Sequence, residues 1–183
     1  MWDILEERII NNESSEIIRI LNSWPDKPGN YYPEHLRDEI DKINEWVYDG
    51  LNNGVYKTGF ATKQDVYEKE CRKVFQTLDR IELLLGSQKM FITGDQLTEA
   101  DIRLFTTIVR FDPVYVGHFK CNLGSIRADY PCILAWLKRI FADPAFSETT
   151  NMTHIKRHYY MSHLQINPNG IVPLSDGPPL GSK

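Results

Sequence analysis

Three cysteines, a run of histidines and one acid-serine pair are the residues whose type and spacing first suggest chemistry. Cys71, Cys121 and Cys132 lie far apart, with no CxxC pair and no cysteine followed by proline. That pattern suits neither a disulfide frame nor a zinc site, and it supplies no activated thiol of the CxxC kind. His154 and His158 stand four residues apart, with His163 beyond them. Four-residue spacing can place two imidazoles on one helix face, but no HExxH-like carboxylate accompanies them, so solvated histidines are expected and no metal. No serine has a nucleophile-elbow context that would complete a Ser-His-Asp triad. Glu13-Ser14 open a short helix, where a carboxylate and free backbone amides either cap the helix or meet a charged ligand.

Those residues must be held by local structure, and the periodicity says which. Trp2 to Leu5 and Arg8 to Asn11 read as short strands around Glu6-Glu7. Asn12 to Ser15 then cap a helix through Leu21. Trp24-Pro25-Asp26-Lys27-Pro28-Gly29-Asn30 reads as a rigid polar connector. Two strands and one helix cannot cover both faces of a sheet, so this segment, residues 1–24, is expected to be part of something larger. The remainder, 25–183, reads as helical. Pro33 suits a first helical turn, and Leu36, Ile40, Ile43 and Val47 form its apolar side. Gly50 to Ala61 interrupts the pattern as a glycine-bounded loop. Thr62 and Asp65 resemble a capping box for a helix whose stripe runs Tyr67, Cys71, Val74, Leu78, Ile81, Leu85 and ends at Gly86. Leu97-Thr98-Glu99-Ala100-Asp101-Ile102 is a stronger box, with Leu97 and Ile102 placed as a hydrophobic staple and Ile102, Phe105 and Val109 turned inward. A helix from Pro131 buries Leu134, Leu137 and Ile140 or Phe141, and the last runs from about Met152 to His163. Trp46, Trp136 and Phe105 read as core. Asn167 to Gly170 ends the last helix, and a tail from about 168, with Pro173, Pro178 and Pro179, reads as an extended strap or a disordered segment.

Composition narrows the class. Of 183 residues, 42% are hydrophobic and the net charge is -4, with no basic run, which argues against nucleic acid. No apolar run approaches the ~18 residues a membrane span needs, and the first residues lack the basic and apolar regions of a signal peptide. With unpaired, scattered cysteines, the cytoplasm is the expected compartment.

Several stretches carry a family resemblance. Asn11 to Ile17, Gly54 to Ala61, Gly94 to Asp101, Arg110 to Tyr115 and Ile155 to Tyr160 resemble, in order and across nearly the whole chain, the glutathionyl-hydroquinone reductases, or Xi-class glutathione transferases. The resemblance implies a mostly α fold: a glutathione transferase C-terminal helical bundle preceded by a partial thioredoxin-like ββα segment. It implies glutathione as co-substrate, quinone-type small molecules as ligands and a homodimer. In the intact relatives a Cys-Pro motif attacks a glutathione–hydroquinone thioether. A mixed disulfide with glutathione forms, and a second glutathione releases it. By the same resemblance Glu13 pairs with the γ-glutamyl ammonium of glutathione, and Ser14 with free helix amides holds its carboxylate. Tyr56 and Tyr159 point their hydroxyls at the hydroquinone ring and favour its keto form, from which carbon leaves sulfur more readily; the alternative for either is a ring that simply packs, its hydroxyl satisfied at the surface. Arg157 is a further contact for a glutathione carboxylate, or an exposed helix charge.

The Cys-Pro motif is absent from this sequence, and the cis-proline loop that pairs with glutathione is expected just before Trp2. Two expectations follow. The first is a fragment of a hydroquinone reductase that is inactive by itself. The second is a non-catalytic helical module for binding or interaction, which would cover its apolar face by self-association.

Overall fold

The computed structural model describes residues 1–25, 29–87 and 89–174. Pro178, Pro179 and the Asp26-Lys27-Pro28 part of the connector lie outside the described residues. The chain opens with a two-stranded antiparallel ribbon, β1 (Trp2–Asp3) and β2 (Arg8–Ile9), in register Trp2 with Ile9 and Asp3 with Arg8. Both strands are shorter than their apolar runs suggest. The turn between them is organised by Asp3, whose carboxylate accepts from the Leu5 and Glu6 amides, and Glu7 takes a left-handed φ of 48°. Helix α1 (Ser14–Asn22) follows, with Glu13 as its N-cap.

A turn of 3-10 helix, Glu34–Leu36, leads into α2 (Arg37–Val47), which buries Ile40, Ile43 and Val47 as its spacing predicts. The stretch expected as a loop is helical instead. A π-helical turn, Tyr48–Asn52, runs into α3 (Gly54–Gly59). Its glycines serve close packing, not chain reversal. A Cβ on Gly50 would lie 2.2 Å from the Thr77 hydroxyl oxygen, and one on Gly59 would lie 2.2 Å from the Phe119 ring.

The long helix α4 (Gln64–Gly86) buries Cys71, Val74, Leu78, Ile81 and Leu85, and it ends where Gly86 predicts. Its start differs from expectation. Lys63 is the N-cap without a side-chain cap bond, so Thr62 and Asp65 form no box. Helix α5 (Glu99–Arg110) does close both halves of its capping box through Thr98 and Asp101. A second π-helical turn, Phe111–Tyr115, absorbs Pro113. Short α6 (Ile126–Asp129), α7 (Pro131–Phe141), short α8 (Pro144–Ser147) and α9 (Met152–Ser162) complete the order.

The core forms where α4 packs on α3 and α7, and α5 on α2 and α7. Helix α7 buries Ile133, Trp136, Leu137 and Ile140, while Leu134 and Phe141 are only partly buried. Trp46 also differs from expectation. It is half-buried beneath the Arg80 guanidinium, 4.0 Å from the ring centroid. Beyond α9 the chain doubles back. The Asn167 side chain donates to the Tyr160 and Ile171 carbonyls, and the buried Lys156 ammonium donates to the Pro173 carbonyl at 2.8 Å. The described part of the tail is therefore a strap lying on α9. No helix among the described residues is long and apolar enough to cross a membrane.

Candidate functional site

Two clusters gather the residues that chemistry singles out. In the first, Glu13 and Ser14 sit at the exposed start of α1. The Glu13 carboxylate accepts from the Ser15 amide at 3.4 Å and from its hydroxyl at 3.1 Å. This is ordinary capping, but the corner also borders a cavity of about 450 Å³ with Arg19, Asp41, Asn44 and Arg103 on its other walls. Both signs of charge therefore line one space, as a ligand with an ammonium and a carboxylate requires.

Helix α1 is fixed there by Glu99. Nearly buried at the first turn of α5, Glu99 accepts from Arg19 at 3.1 Å, from Asn44 at 3.0 Å and from Arg103 at 3.4 Å. Arg19 also pairs with Asp41 at 2.5 Å, and these acids, Glu99 first, hold its guanidinium firmly charged. Three helices are thus tied at the edge of the Glu13–Ser14 corner. Helix α5 itself is anchored by Asp101, fully buried. Its carboxylate accepts from the Ile92 amide, the Thr98 amide and hydroxyl, and the Trp136 indole, all within 3.0 Å.

The second cluster is built on α3, α9 and the second π turn. The Tyr56 and Tyr159 hydroxyls lie 2.6 Å apart, and Tyr115, two per cent exposed, brings its hydroxyl within 3.0 Å of Tyr159. Phe119 packs edge-on against Tyr56 and Tyr159. Burial, then the bond to Tyr159, pushes the Tyr56 phenol up to about 12. Tyr115 is raised further, again chiefly by burial, while the Arg110 guanidinium draws both phenols back down. The cluster is thus a set of protonated hydroxyls with a cation nearby, suited to hydrogen-bonding a ligand oxygen and not to serving as a base.

Between the clusters, α5 presents Arg103, Thr106 and Arg110 on one face. A cavity of about 240 Å³ bordered by Ser14, Tyr48, Asn52, Arg103 and Thr106 adjoins the first. A groove of about 550 Å³ follows along the same helix, lined by Ile102, Phe105, Thr106, Arg110, Phe146 and His154 among others. Ile102, expected to face the core, lines this groove because Leu104, Phe105 and Ile108 take the inward positions. Neither Tyr56 nor Tyr159 lines these three spaces.

The remaining candidates separate. His154 and His158 are exposed, as is Arg157. His163 caps α9 and meets His118, a buried residue that spacing did not single out, with the ring nitrogens 3.1 Å apart. Burial, helped by the neighbouring His163, holds His118 down at about 4. No metal-holding group of three or more His, Cys, Asp or Glu occurs among the described residues. The cysteines are free thiols, and each is pushed up from its ordinary value. Burial raises Cys71, and it takes Cys121 to about 12. Cys132 is raised first by its hydrogen bond to the Glu82 carboxylate. None of the three is a low-pKa thiolate.

Sequence reasoning missed Tyr115, His118, Glu99 and Arg110 as members of these clusters. Only the α5 set left a signal, because Glu99, Arg103, Thr106 and Arg110 recur at four, three and four on an otherwise apolar helix.

Comparisons with known proteins bear on the fold. Residues 64–139 match the family model of the glutathione S-transferase C-terminal domain. The chain is 54% identical over 188 residues to glutathione S-transferase omega-like 2 of Schizosaccharomyces pombe, covering 97% of this chain and 60% of that protein. It is 53% identical over 184 residues to the glutathionyl-hydroquinone reductase PcpF of Sphingobium chlorophenolicum, covering 98% and 58%. The glutathione-bound structure of YqjG, a glutathione transferase homologue from Escherichia coli K-12, superposes with a TM-score of 0.94 at 50% identity, covering 98% of this chain and 59% of that one. The chain therefore spans about three fifths of the length of these relatives. A helical core built on a buried capping box, a short ββα entry and these likenesses along nearly its whole length give the chain a glutathione transferase-like fold, in which residues 64–139 match the C-terminal domain of that family.

Proposed function

We propose that this chain contributes the helical wall and the γ-glutamyl corner of a glutathionyl-hydroquinone reductase, residues 1–24 being part of a thioredoxin-like glutathione-binding unit and 25–183 the helical domain. The observation that carries the reading is the partly buried hydroxyl pair, Tyr56 and Tyr159 at 2.6 Å. It stands on elements that resemble those of hydroquinone reductases, and PcpF is one by name.

The reaction follows from the parts. Glutathione is the co-substrate, with Glu13 pairing its γ-glutamyl ammonium and Ser14 with the α1 amides holding its carboxylate. Tyr56 and Tyr159 hydrogen-bond the ring oxygens of the bound glutathionyl-hydroquinone and favour the keto tautomer. A thiolate attacks the glutathionyl sulfur, the carbon–sulfur bond of the keto tautomer breaks, and its electron pair passes through the ring to the carbonyl oxygen, which takes up a proton to give the hydroquinone. A mixed disulfide is left, and a second glutathione thiolate attacks it to give oxidised glutathione and restore the thiol. The attacking thiol is none of Cys71, Cys121 or Cys132, all of which are raised. Unpaired thiols fit a reducing cytoplasm.

Titration of the chain with glutathione tests the corner. Saturable binding that Glu13→Gln and Ser14→Ala each weaken about tenfold, the size of one charge-assisted hydrogen bond, is expected. Binding indifferent to both changes would sink the assignment.

A homodimer accords with the resemblance to the Xi class. Trp2, Ile4, Leu5 and Ile9 are 56%, 82%, 95% and 62% exposed, apolar surface that the remainder of the thioredoxin-like unit would cover in a whole reductase and that is left open in this chain by itself.

A further inference from the structure

We infer that Tyr115 orders the protons of the tyrosine cluster, so that Tyr56 meets its ligand as a hydrogen-bond donor and the site prefers an accepting oxygen, a phenolate or quinone-type carbonyl, over a phenol hydroxyl. The inference rests on the proposed role of Tyr56 and Tyr159 and deepens it.

The argument is one of proton bookkeeping. Each phenolic hydroxyl has a single proton and can also accept. Tyr115 is 2% exposed, and among the described residues its hydroxyl bonds to Tyr159 at 3.0 Å, with Tyr56 as a second, weaker partner. A buried O–H without an acceptor is costly, so Tyr115 donates to Tyr159. The Tyr159 oxygen then carries an incoming bond, and Tyr159, 6% exposed, has Tyr56 as its remaining neighbour, at 2.6 Å. Its proton goes there. Tyr56 is the half-buried end of the row, and its own proton is left to point away from the cluster. Bonds aligned head to tail polarise one another, which makes the terminal Tyr56 a stronger donor than an isolated phenol. Arg110 lies close enough to act on Tyr56 and Tyr115 and favours negative charge at the same place.

Tyr115 is thus a positioning residue. Removing its hydroxyl frees an acceptor site on Tyr159, and Tyr56 can then turn its proton inward.

The test uses 4-nitrophenol, whose absorbance separates phenol from phenolate, titrated into the 183-residue chain at pH values below and above the probe's own ionisation. The unaltered chain should bind the phenolate more tightly and lower the apparent pKa of the bound probe. Tyr115→Phe, which keeps the ring, should cut that preference about five- to tenfold, the size of one hydrogen bond, without a matching loss of phenol binding. A thermal denaturation midpoint reports whether it folds. If it does not, Tyr159→Phe severs the same row and should remove the preference likewise. An unchanged preference in a folded Tyr115→Phe or Tyr159→Phe protein, with Tyr56→Phe still weakening binding, overturns the ordering role and leaves the site intact. Absence of saturable binding, or binding untouched by Tyr56→Phe, overturns the site reading and this inference together.

Discussion

At the residue scale, burial decides what each ionisable group can do. His118 has its folded pKa held down at about 4, whereas an unfolded histidine titrates near ~6.5. For a depressed group, the stabilising difference is present above ~6.5 and is lost as pH falls towards 4, because the unfolded chain binds the proton first. The urea midpoint should therefore drop across that interval, and His118→Asn should flatten the drop. An equal slope in both proteins would refute the assignment. Tyr56 gives the opposite edge. Its folded value of about 12 lies above the ~10 of an unfolded tyrosine, so stability should decline as pH rises between them, less steeply in Tyr56→Phe. The thiols offer a simpler check. Cys71, Cys121 and Cys132 should alkylate with iodoacetamide at neutral pH no faster than an ordinary cysteine, and a fast-reacting one among them would contradict the raised values.

Elements are held by a few buried polar groups. Asp101 satisfies donors from three separate places, the Phe91–Gly94 turn region at Ile92, the cap at Thr98 and α7 at Trp136. Asp101→Ala would strand all of them, at a cost of about 3 kcal/mol or more in chemical denaturation. Loss of a helix cap alone costs only about 1 kcal/mol, so a result that small would mean the Trp136 and Ile92 bonds contribute little. Glu99 plays a different part, joining α1 to α2 and α5. Glu99→Ala should speed amide hydrogen exchange in α1 while leaving α4 and α7 protected, because the partners of Glu99 lie at the edge of the domain. Uniform acceleration through all helices would show that the acid supports the core instead.

For the molecule as a whole, the exposed ribbon and the raised thiols point the same way. The 183-residue chain should elute on size exclusion as a concentration-dependent oligomer, and Leu5→Lys should shift it towards monomer. A clean monomer at every concentration would remove the self-association reading. It should also fail to reduce a glutathionyl-hydroquinone above background. Turnover abolished by Cys71→Ser or Cys132→Ser would overturn the conclusion that neither thiol is the nucleophile.

Local spacing was enough for much of the architecture. The α4 stripe, the α5 capping box and the capped start at Glu13–Ser14 are interactions between residues two to four apart, so the amino-acid order alone sets them. The Thr62–Asp65 box failed because α4 takes Lys63 as its N-cap, and the 50–61 loop became a π turn and α3, whose close packing of Gly50 on Thr77 and Gly59 on Phe119 no local signal shows. The tyrosine pair was named by resemblance and not by spacing: its members are 103 residues apart. Tyr115, the His118–His163 contact, the Arg19–Glu99 tie and the Lys156 latch on the strap share that character. Each depends on which distant side chain arrives beside it in a buried space. Periodicity says which face of a helix is buried, and only tertiary packing decides what meets it there.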